Sequence, residues 1–146
     1  MLSVIVETAD SGDRLPALLA CRTSASVEGL VREVLIAGGE PPELLAVLRE
    51  ETGAELAADL AEALRAAKSE RLLVLPAKIR LKPGWLEALA RHMRGGGGDA
   101  LIEGEGGFLQ TRPFGLVIDR AVVSGLARPD LKGLRGKLAR GAVRLS

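Results

Sequence analysis

The sequence contains very few aromatic residues, with two Phe, one Trp and no Tyr among its 146 positions. Flat side chains that stack on bases or sugar rings are therefore scarce, and Leu, Ala and Val must fill most of the core. Cysteine is also nearly absent, and the single Cys21 cannot form an internal disulfide. We therefore expect a reducing, cytoplasmic location.

Long apolar runs and a strong net charge are missing as well. No stretch reaches the roughly 18 apolar residues that predict a membrane-spanning helix, and the first residues lack the pattern of a signal peptide. The chain carries 20 basic and 19 acidic residues, for a net charge of +1. This balance gives no reason to expect a nucleic-acid partner.

Basic residues are nevertheless concentrated in a tail formed by residues 127–146. This tail has one acid, Asp130, and six cations, which are Arg128, Lys132, Arg135, Lys137, Arg140 and Arg144. Peripheral contact with an anionic membrane is one alternative for the tail, and contact with nucleic-acid phosphates is another. Terminal segments of this kind are more often solvated and frayed, and the sequence alone favours that interpretation.

Aliphatic runs alternate along the chain with segments in which apolar residues recur every three or four positions. Strands are predicted at Leu2–Val6, Val31–Ala37 and Arg71–Leu75. Helices are predicted to begin near Leu15, Pro41, Asp59 and Gly84. The alternation predicts one α/β domain over residues 1–146, with a mainly parallel sheet and helices on both faces.

The other segments are less regular. Residues 54–57 fit either a strand or the lead-in to a helix. The glycines of Gly95–Gly98 end the helix that contains Trp85 and predict a mobile surface loop. Beyond them we predict one or two strands, from the runs Ala100–Glu103 and Gly115–Ile118, and two short helices, at Ala121–Leu126 and Leu131–Leu138.

Three segments carry a known pattern. Leu2–Thr8 has the sequence Leu-Ser-Val-Ile-Val-Glu-Thr, and Leu72–Leu89 contains Leu-Leu-Val-Leu-Pro-Ala-Lys followed by Pro-Gly-Trp-Leu-Glu-Ala-Leu. These segments resemble two motifs of family 2 glycosyltransferases, Ser-Val-Ile-Ile-Pro-Thr and Leu-Leu-Phe-Leu-Asp-Ala-Asp with its later Pro-Gly-Trp-Leu-Glu-Ala-Leu. Val31–Ala37 matches the family's second strand. The resemblance covers residues 1–95, leaves residues 96–146 divergent, and implies a GT-A, Rossmann-like nucleotide-binding core.

The polar positions depart from the family pattern. Gly38 stands where the family has an Asp that recognises the base, and Ala61 stands where it has an Asn. Pro76, Ala77 and Lys78 replace the metal-binding Asp-X-Asp, so the hard oxygen ligands that divalent cations need are absent there. No counterpart of the general base follows Gly104. The comparison with the family therefore implies no metal, no cofactor and no catalytic residue.

Seven residues remain candidates for nucleotide binding, because open α/β sheets place ligands at the carboxyl ends of strands. They are Thr8, Ala9, Asp10, Gly38, Gly39, Lys78 and Arg80. Lys78 and Arg80 could supply positive charge to a diphosphate in place of a metal ion. The alternative assigns Asp10 to a helix cap, the glycines to a permissive turn, and the cations to a solvated turn.

We therefore expect a degenerate, non-catalytic relative of family 2 glycosyltransferases that binds a nucleoside diphosphate or nucleotide sugar. One alternative is an active, metal-independent glycosyltransferase that uses Lys78 or Arg80 at the leaving diphosphate. Another is a non-enzymatic interaction or scaffold protein, for example a homodimer.

His92 has no visible Asp or Ser partner, so a surface or core-edge position is favoured over a role as general base. Cys21 is expected to be a small buried apolar group.

Overall fold

The computed structural model describes residues 2–7, 31–37, 55–57, 59–76, 79, 84–96, 98–104, 114–123 and 143–145. Seven strands lie in this part of the chain: β1 (Leu2–Glu7), β2 (Val31–Ala37), β3 (Glu55–Ala57), β4 (Arg71–Pro76), β5 (Ala100–Glu103), β6 (Phe114–Asp119) and β7 (Val143–Leu145). The three helices described with them are α1 (Leu60–Ala66), α2 (Trp85–Arg94) and α3 (Arg120–Val123).

Most predicted elements that fall in the described residues are confirmed. The strands predicted at Leu2–Val6 and Arg71–Leu75 each extend one residue further, and the segment left open at residues 54–57 contributes the strand β3. The predicted helices near Leu15 and Pro41 and at Leu131–Leu138 lie outside the described residues. The mobility predicted for Gly95–Gly98 stays a prediction.

All seven strands form one sheet in the order β3-β2-β1-β4-β6-β5-β7. β1 pairs in parallel with both β2 and β4, β2 pairs in parallel with β3, and β5 pairs in parallel with β7. Of the described strands only β6 runs the other way, antiparallel to β4 and to β5. The predicted mainly parallel sheet is thus confirmed.

The two faces of the sheet are covered by different helices. Because side chains alternate along a strand, β1 sends Val4 and Val6 to the face that packs against α2 and Ile5 to the face that packs against α1. α2 contributes the fully buried Leu89 to its face, with the half-buried Trp85 beside it. Helices therefore lie on both faces, as the sequence predicts, and they bury strands that are aliphatic on both sides.

The ends of α1 and α2 follow local rules. Asp59 begins α1 as its N-cap, and its Oδ1 accepts a hydrogen bond of 2.8 Å from the backbone N–H of Glu62. Gly84 precedes α2 with φ 84°, a left-handed conformation that side chains rarely adopt. Both helices start at the edge where the strands β1 to β4 end, which we call the carboxyl edge, and run back toward the opposite, amino edge.

A small polar cluster is buried at the amino edge, on the α1 face. The hydroxyl of Ser3 donates to Glu33 Oε2 over 2.6 Å and accepts from the backbone N–H of Ser69 over 3.1 Å. The backbone N–H of Lys68 also donates to Glu33 Oε2. These bonds fasten the turn between α1 and β4 onto β1 and β2.

The end of the basic tail differs from the frayed segment favoured by the sequence. Val143–Leu145 forms β7 and pairs with β5, with Ala100 opposite Val143 and Ile102 opposite Leu145. Ladder hydrogen bonds to an otherwise open strand edge explain why so short a segment is ordered. None of the described helices is long and apolar enough to cross a lipid bilayer.

Candidate functional site at the carboxyl edge

The strand order changes direction between β1 and β4. From β1 the chain builds outward to β2 and β3, and it then returns to place β4 on the other side of β1. In open α/β sheets a crevice forms at the carboxyl ends of the strands where the order reverses, and ligands bind there. Glu7 and Pro76 end β1 and β4, and they are paired in register at this point.

The end of β4 closes in a turn rather than in a carboxylate motif. Pro76 is buried, and its carbonyl oxygen accepts a hydrogen bond of 3.1 Å from the backbone N–H of Ile79. Ile79 is itself fully buried and packs in the α2-face cluster with Leu75 and Leu89. A turn at this strand end was one of the two sequence-based interpretations. Pro76 offers neither a side-chain oxygen nor an N–H group to a ligand, and its carbonyl oxygen is engaged by Ile79.

All seven nucleotide-binding candidates lie outside the described residues: Thr8, Ala9, Asp10, Gly38, Gly39, Lys78 and Arg80. The last residues of β1, β2 and β4 nevertheless show where each candidate segment leaves the sheet. Thr8 follows Glu7, and Gly38 follows Ala37, which is in register with Glu7. Lys78 and Arg80 flank the buried Ile79. The three candidate segments thus leave the sheet from neighbouring strands at one edge.

The sequence analysis missed Glu7 as a candidate. It lies half-buried at the end of β1, in register with Ala37 on one side and Pro76 on the other. Alternation along β1 places it with Ile5 on the α1 face. One sequence signal points to it: Glu7 occupies the position where the family pattern Ser-Val-Ile-Ile-Pro-Thr has proline.

A second carboxylate at the same edge is too far away to complete a site with Glu7. Glu103 ends β5, half-buried, opposite Phe114 of β6. Three inter-strand steps of about 4.8 Å separate β1 from β5, or roughly 14 Å in all. Among the described residues, no group of three His, Cys, Asp or Glu side chains is placed to hold a metal ion.

Two other positions singled out by sequence lie in the described residues. Ala61, at the family's Asn position, is half-buried in the first turn of α1 and carries no polar side-chain group. His92 lies in the last turn of α2, at the amino edge, where its Nε2 is 2.7 Å from the carbonyl oxygen of Gly98. Since a carbonyl only accepts, Nε2 carries the proton in this contact. His92 therefore ties α2 to the chain before β5, far from the carboxyl edge.

No protein-family model matches the chain, and no curated protein matches it in sequence. Solved structures match in fold. A nucleotidyl transferase from Methanothermobacter thermautotroptrophicus is 17% identical, with a TM-score of 0.62 over 100% of this chain and 88% of that one. Glucosyl-3-phosphoglycerate synthase from Mycobacterium tuberculosis, solved with Mn²⁺, UDP-glucose and phosphoglyceric acid, is 15% identical, with a TM-score of 0.64 over 99% and 68%.

A third structure of the same kind is 4-diphosphocytidyl-2C-methyl-D-erythritol synthase from Anaerococcus prevotii, at 11% identity and a TM-score of 0.60 over 100% of this chain and 89% of that one. At such identities the similarity shows the fold alone, which is a GT-A-like, Rossmann-like α/β fold. Both glycosyl and nucleotidyl transferases have it. The narrower assignment to family 2 glycosyltransferases stays a prediction.

Proposed function

We propose that this chain is a catalytically degenerate relative of nucleotide-sugar-dependent transferases, and that it binds a nucleoside diphosphate or nucleotide sugar at the carboxyl edge without a metal ion. The observation that carries the proposal is the end of β4. There the buried Pro76 and its hydrogen bond to Ile79 occupy the place of an Asp-X-Asp motif. Family 2 membership and a cytoplasmic location are part of the same proposal.

The fold supports nucleotide binding at this edge. The similar structures are transferases that act on nucleotides or nucleotide sugars, and one of them was solved with UDP-glucose and Mn²⁺. In this chain the switch point between β1 and β4 is built on strands whose aliphatic side chains are buried. Pro76 and Lys78 lack the carboxylate oxygens of the family motif, so we infer that a nucleotide binds here without a metal ion.

The residues at this edge suggest a division of roles. Lys78 and Arg80 flank Ile79 in the sequence after β4, and we assign their charges to offset those of a diphosphate without a metal ion. Glu7 repels phosphate but accepts hydrogen bonds, so we assign it to the donor groups of a base or ribose. It stands beside Ala37, next to the position where the family has its base-recognising Asp.

The test is isothermal titration of the full chain with UDP and with GDP. We expect Lys78→Ala to weaken binding by about tenfold or more, since a charge-assisted hydrogen bond contributes about 1.5 to 3 kcal/mol. We expect Glu7→Gln to weaken nucleotide binding but not pyrophosphate binding. The matched control is Glu103→Gln, which changes a half-buried glutamate at the end of a strand three positions away in the sheet.

Different outcomes point to the alternatives. Hydrolysis of a nucleotide sugar that resists chelator and disappears in Lys78→Ala would establish a metal-independent transferase. No binding of either nucleotide by the unmodified chain, together with a dimer mass in solution, would establish an interaction or scaffold protein. Equal affinity of Lys78→Ala and the unmodified chain would remove Lys78 from the site.

A further inference from the structure

Exposed basic residues are concentrated at the amino edge of the sheet, opposite the proposed nucleotide site. Apart from Arg71, which pairs with Asp99, five exposed cations and one half-buried cation lie here, and we call them the basic edge: Arg32, Arg65, Lys68, Arg91, Arg94 and Arg120. They come from β2, α1, the turn after α1, α2 and α3. Cations from both helical layers therefore border one edge.

Hydrogen bonds fix the α1 side of the basic edge. Arg65 lies in the last turn of α1, and its carbonyl oxygen accepts a hydrogen bond of 3.4 Å from Nη2 of Arg120. The backbone N–H of Arg120 donates to the carbonyl oxygen of Glu70 over 2.8 Å. Lys68 is held by the bond from its backbone N–H to Glu33 at the start of β2, beside Arg32. These contacts place Arg65, Lys68 and Arg120 along the edge on the α1 side.

The last turn of α2 supplies the basic residues on the opposite face of the sheet. Arg91 and Arg94 are exposed there, and His92 between them is bound to the carbonyl oxygen of Gly98. That bond anchors the end of the helix beside the start of β5. The position of Arg91 and Arg94 at the amino edge is thus set by the fold.

The acids at this edge are largely engaged in the protein. Glu33 accepts hydrogen bonds from Ser3 and Lys68, and Asp99 forms an ion pair of 3.0 Å with Arg71. Asp119 accepts from the backbone N–H of Ala121. In the described chain at this edge, Glu70 is the one fully exposed acid, against the six cations of the basic edge.

The described charges are also separated along the molecule. Exposed acids lie at the other end, with Asp59 and Glu62 in the first turn of α1 and Glu87 in the first turn of α2. Residues 124–142, which connect α3 to β7, contain five more cations and one acid. Both ends of this segment join the described structure at the amino edge, where α3 lies and β7 begins.

We propose that the basic edge docks the protein on an anionic lipid bilayer. Cations from both faces of the sheet present a broad border of charge, and each near-surface Lys or Arg strengthens binding to anionic lipid by a factor of about five. Among the described aromatic residues, Trp85 and Phe114 both pack against the core, so neither forms a platform for stacked bases. Docking through the amino edge leaves the carboxyl edge open to soluble ligands.

The test is co-sedimentation of the full chain with phosphatidylcholine vesicles that do or do not contain phosphatidylserine. We expect binding only to the anionic vesicles, and we expect it to be lost when ionic strength rises from about 0.05 to about 0.5 M. Arg91→Gln/Arg94→Gln and Arg65→Gln/Lys68→Gln should each lower affinity by about 25-fold, which is the product of two five-fold losses. The four positions are exposed, so these variants should stay folded, with the melting temperature lowered by only a few degrees where a cation in the last turn of a helix is lost.

The matched control is Lys78→Gln/Arg80→Gln, which removes two cations next to the carboxyl edge and should leave vesicle binding as it was. An equal loss in this variant would show that only net charge matters and would overturn the proposal. Binding to duplex RNA in fluorescence anisotropy, without binding to anionic vesicles, would overturn it in favour of nucleic acid. Failure of the unmodified chain to sediment with anionic vesicles at low salt would also overturn it.

Discussion

Gly115 in β6 has no side chain, and this allows the side chain of Leu75 in β4 to lie close to the Cα of Gly115. A Cβ atom added at Gly115 would come within 2.4 Å of Leu75 Cδ2 and 3.2 Å of the carbonyl oxygen of Val74. Carbon atoms in contact are roughly 3.5 Å apart or more, so the methyl group would have to retreat by about 1.1 Å. Leu75 is fully buried, and no solvent-exposed space is available to receive it.

We therefore expect Gly115→Ala to destabilise the protein. Overpacking of a core costs about 1 to 3 kcal/mol, whereas replacing a strand glycine by alanine otherwise contributes about 0.5 to 1 kcal/mol of stability. The clash is the larger effect, and the free energy of unfolding should fall by about 1 to 2 kcal/mol. For a domain of this size that corresponds to a loss of about 3 to 6 °C in Tm.

Urea denaturation of paired variants tests this reasoning. Gly98→Ala is the control, because a Cβ there meets nothing within 4 Å and the change should stay within about 0.5 kcal/mol. Leu75→Val, which removes the clashing carbon, should cost less in the Gly115→Ala background than alone, giving a favourable coupling. A Gly115→Ala protein as stable as the parent, or more stable, would refute the close approach.

Two further stability predictions follow from single contacts. Asp59→Ala should lower the free energy of unfolding by about 1 kcal/mol through loss of the N-cap of α1, while Asp59→Asn should be close to neutral in the same thermal melts. Ser3→Ala should cost about 1 to 3 kcal/mol in urea titrations, because it leaves the buried N–H of Ser69 without its acceptor. Ser69→Ala is the control for Ser3→Ala, because the buried hydroxyl of Ser69 has no hydrogen-bond partner within the described chain. Removing this hydroxyl should leave the free energy of unfolding unchanged or slightly higher. A cost equal to that of Ser3→Ala would contradict the assigned role of the Ser3 hydroxyl.

Strands with a strong local signal were predictable from sequence. β1, β2 and β4 are aliphatic on both faces, which is the pattern of a buried parallel strand. β3 and β7 have only three residues each, and they become strands because the neighbouring strands β2 and β5 offer open backbone groups. A pairing between distant segments leaves no mark on a three-residue sequence.

The candidate site was predictable in its position but not in all its members. Family resemblance located the end of β4, and the absence of oxygen ligands at Pro76 followed directly from the residue type. Glu7 emerged only when the register placed it between Ala37 and Pro76 at the switch point. His92 could be assigned to the opposite edge only from the direction of α2 and its contact with Gly98.

The separation of charge, too, could be predicted only in part from the sequence. Sequence revealed the basic tail, but the cations of the basic edge are scattered between residues 32 and 120. They meet because α1 and α2 both end at the amino edge, and because α3 begins there. Basic side chains in the last turns also complement the negative ends of the helix dipoles, so part of this pattern stabilises the helices themselves.

The most direct test of the account is a calorimetric titration of the full chain with UDP and GDP, each in Mn²⁺ and in EDTA. The account predicts saturable binding of at least one nucleotide with the same affinity in both conditions, because the end of β4 offers no carboxylate ligand to a divalent cation. Binding that requires Mn²⁺ and is abolished by EDTA would contradict it, since a metal site would then exist at the nucleotide despite Pro76 and Lys78.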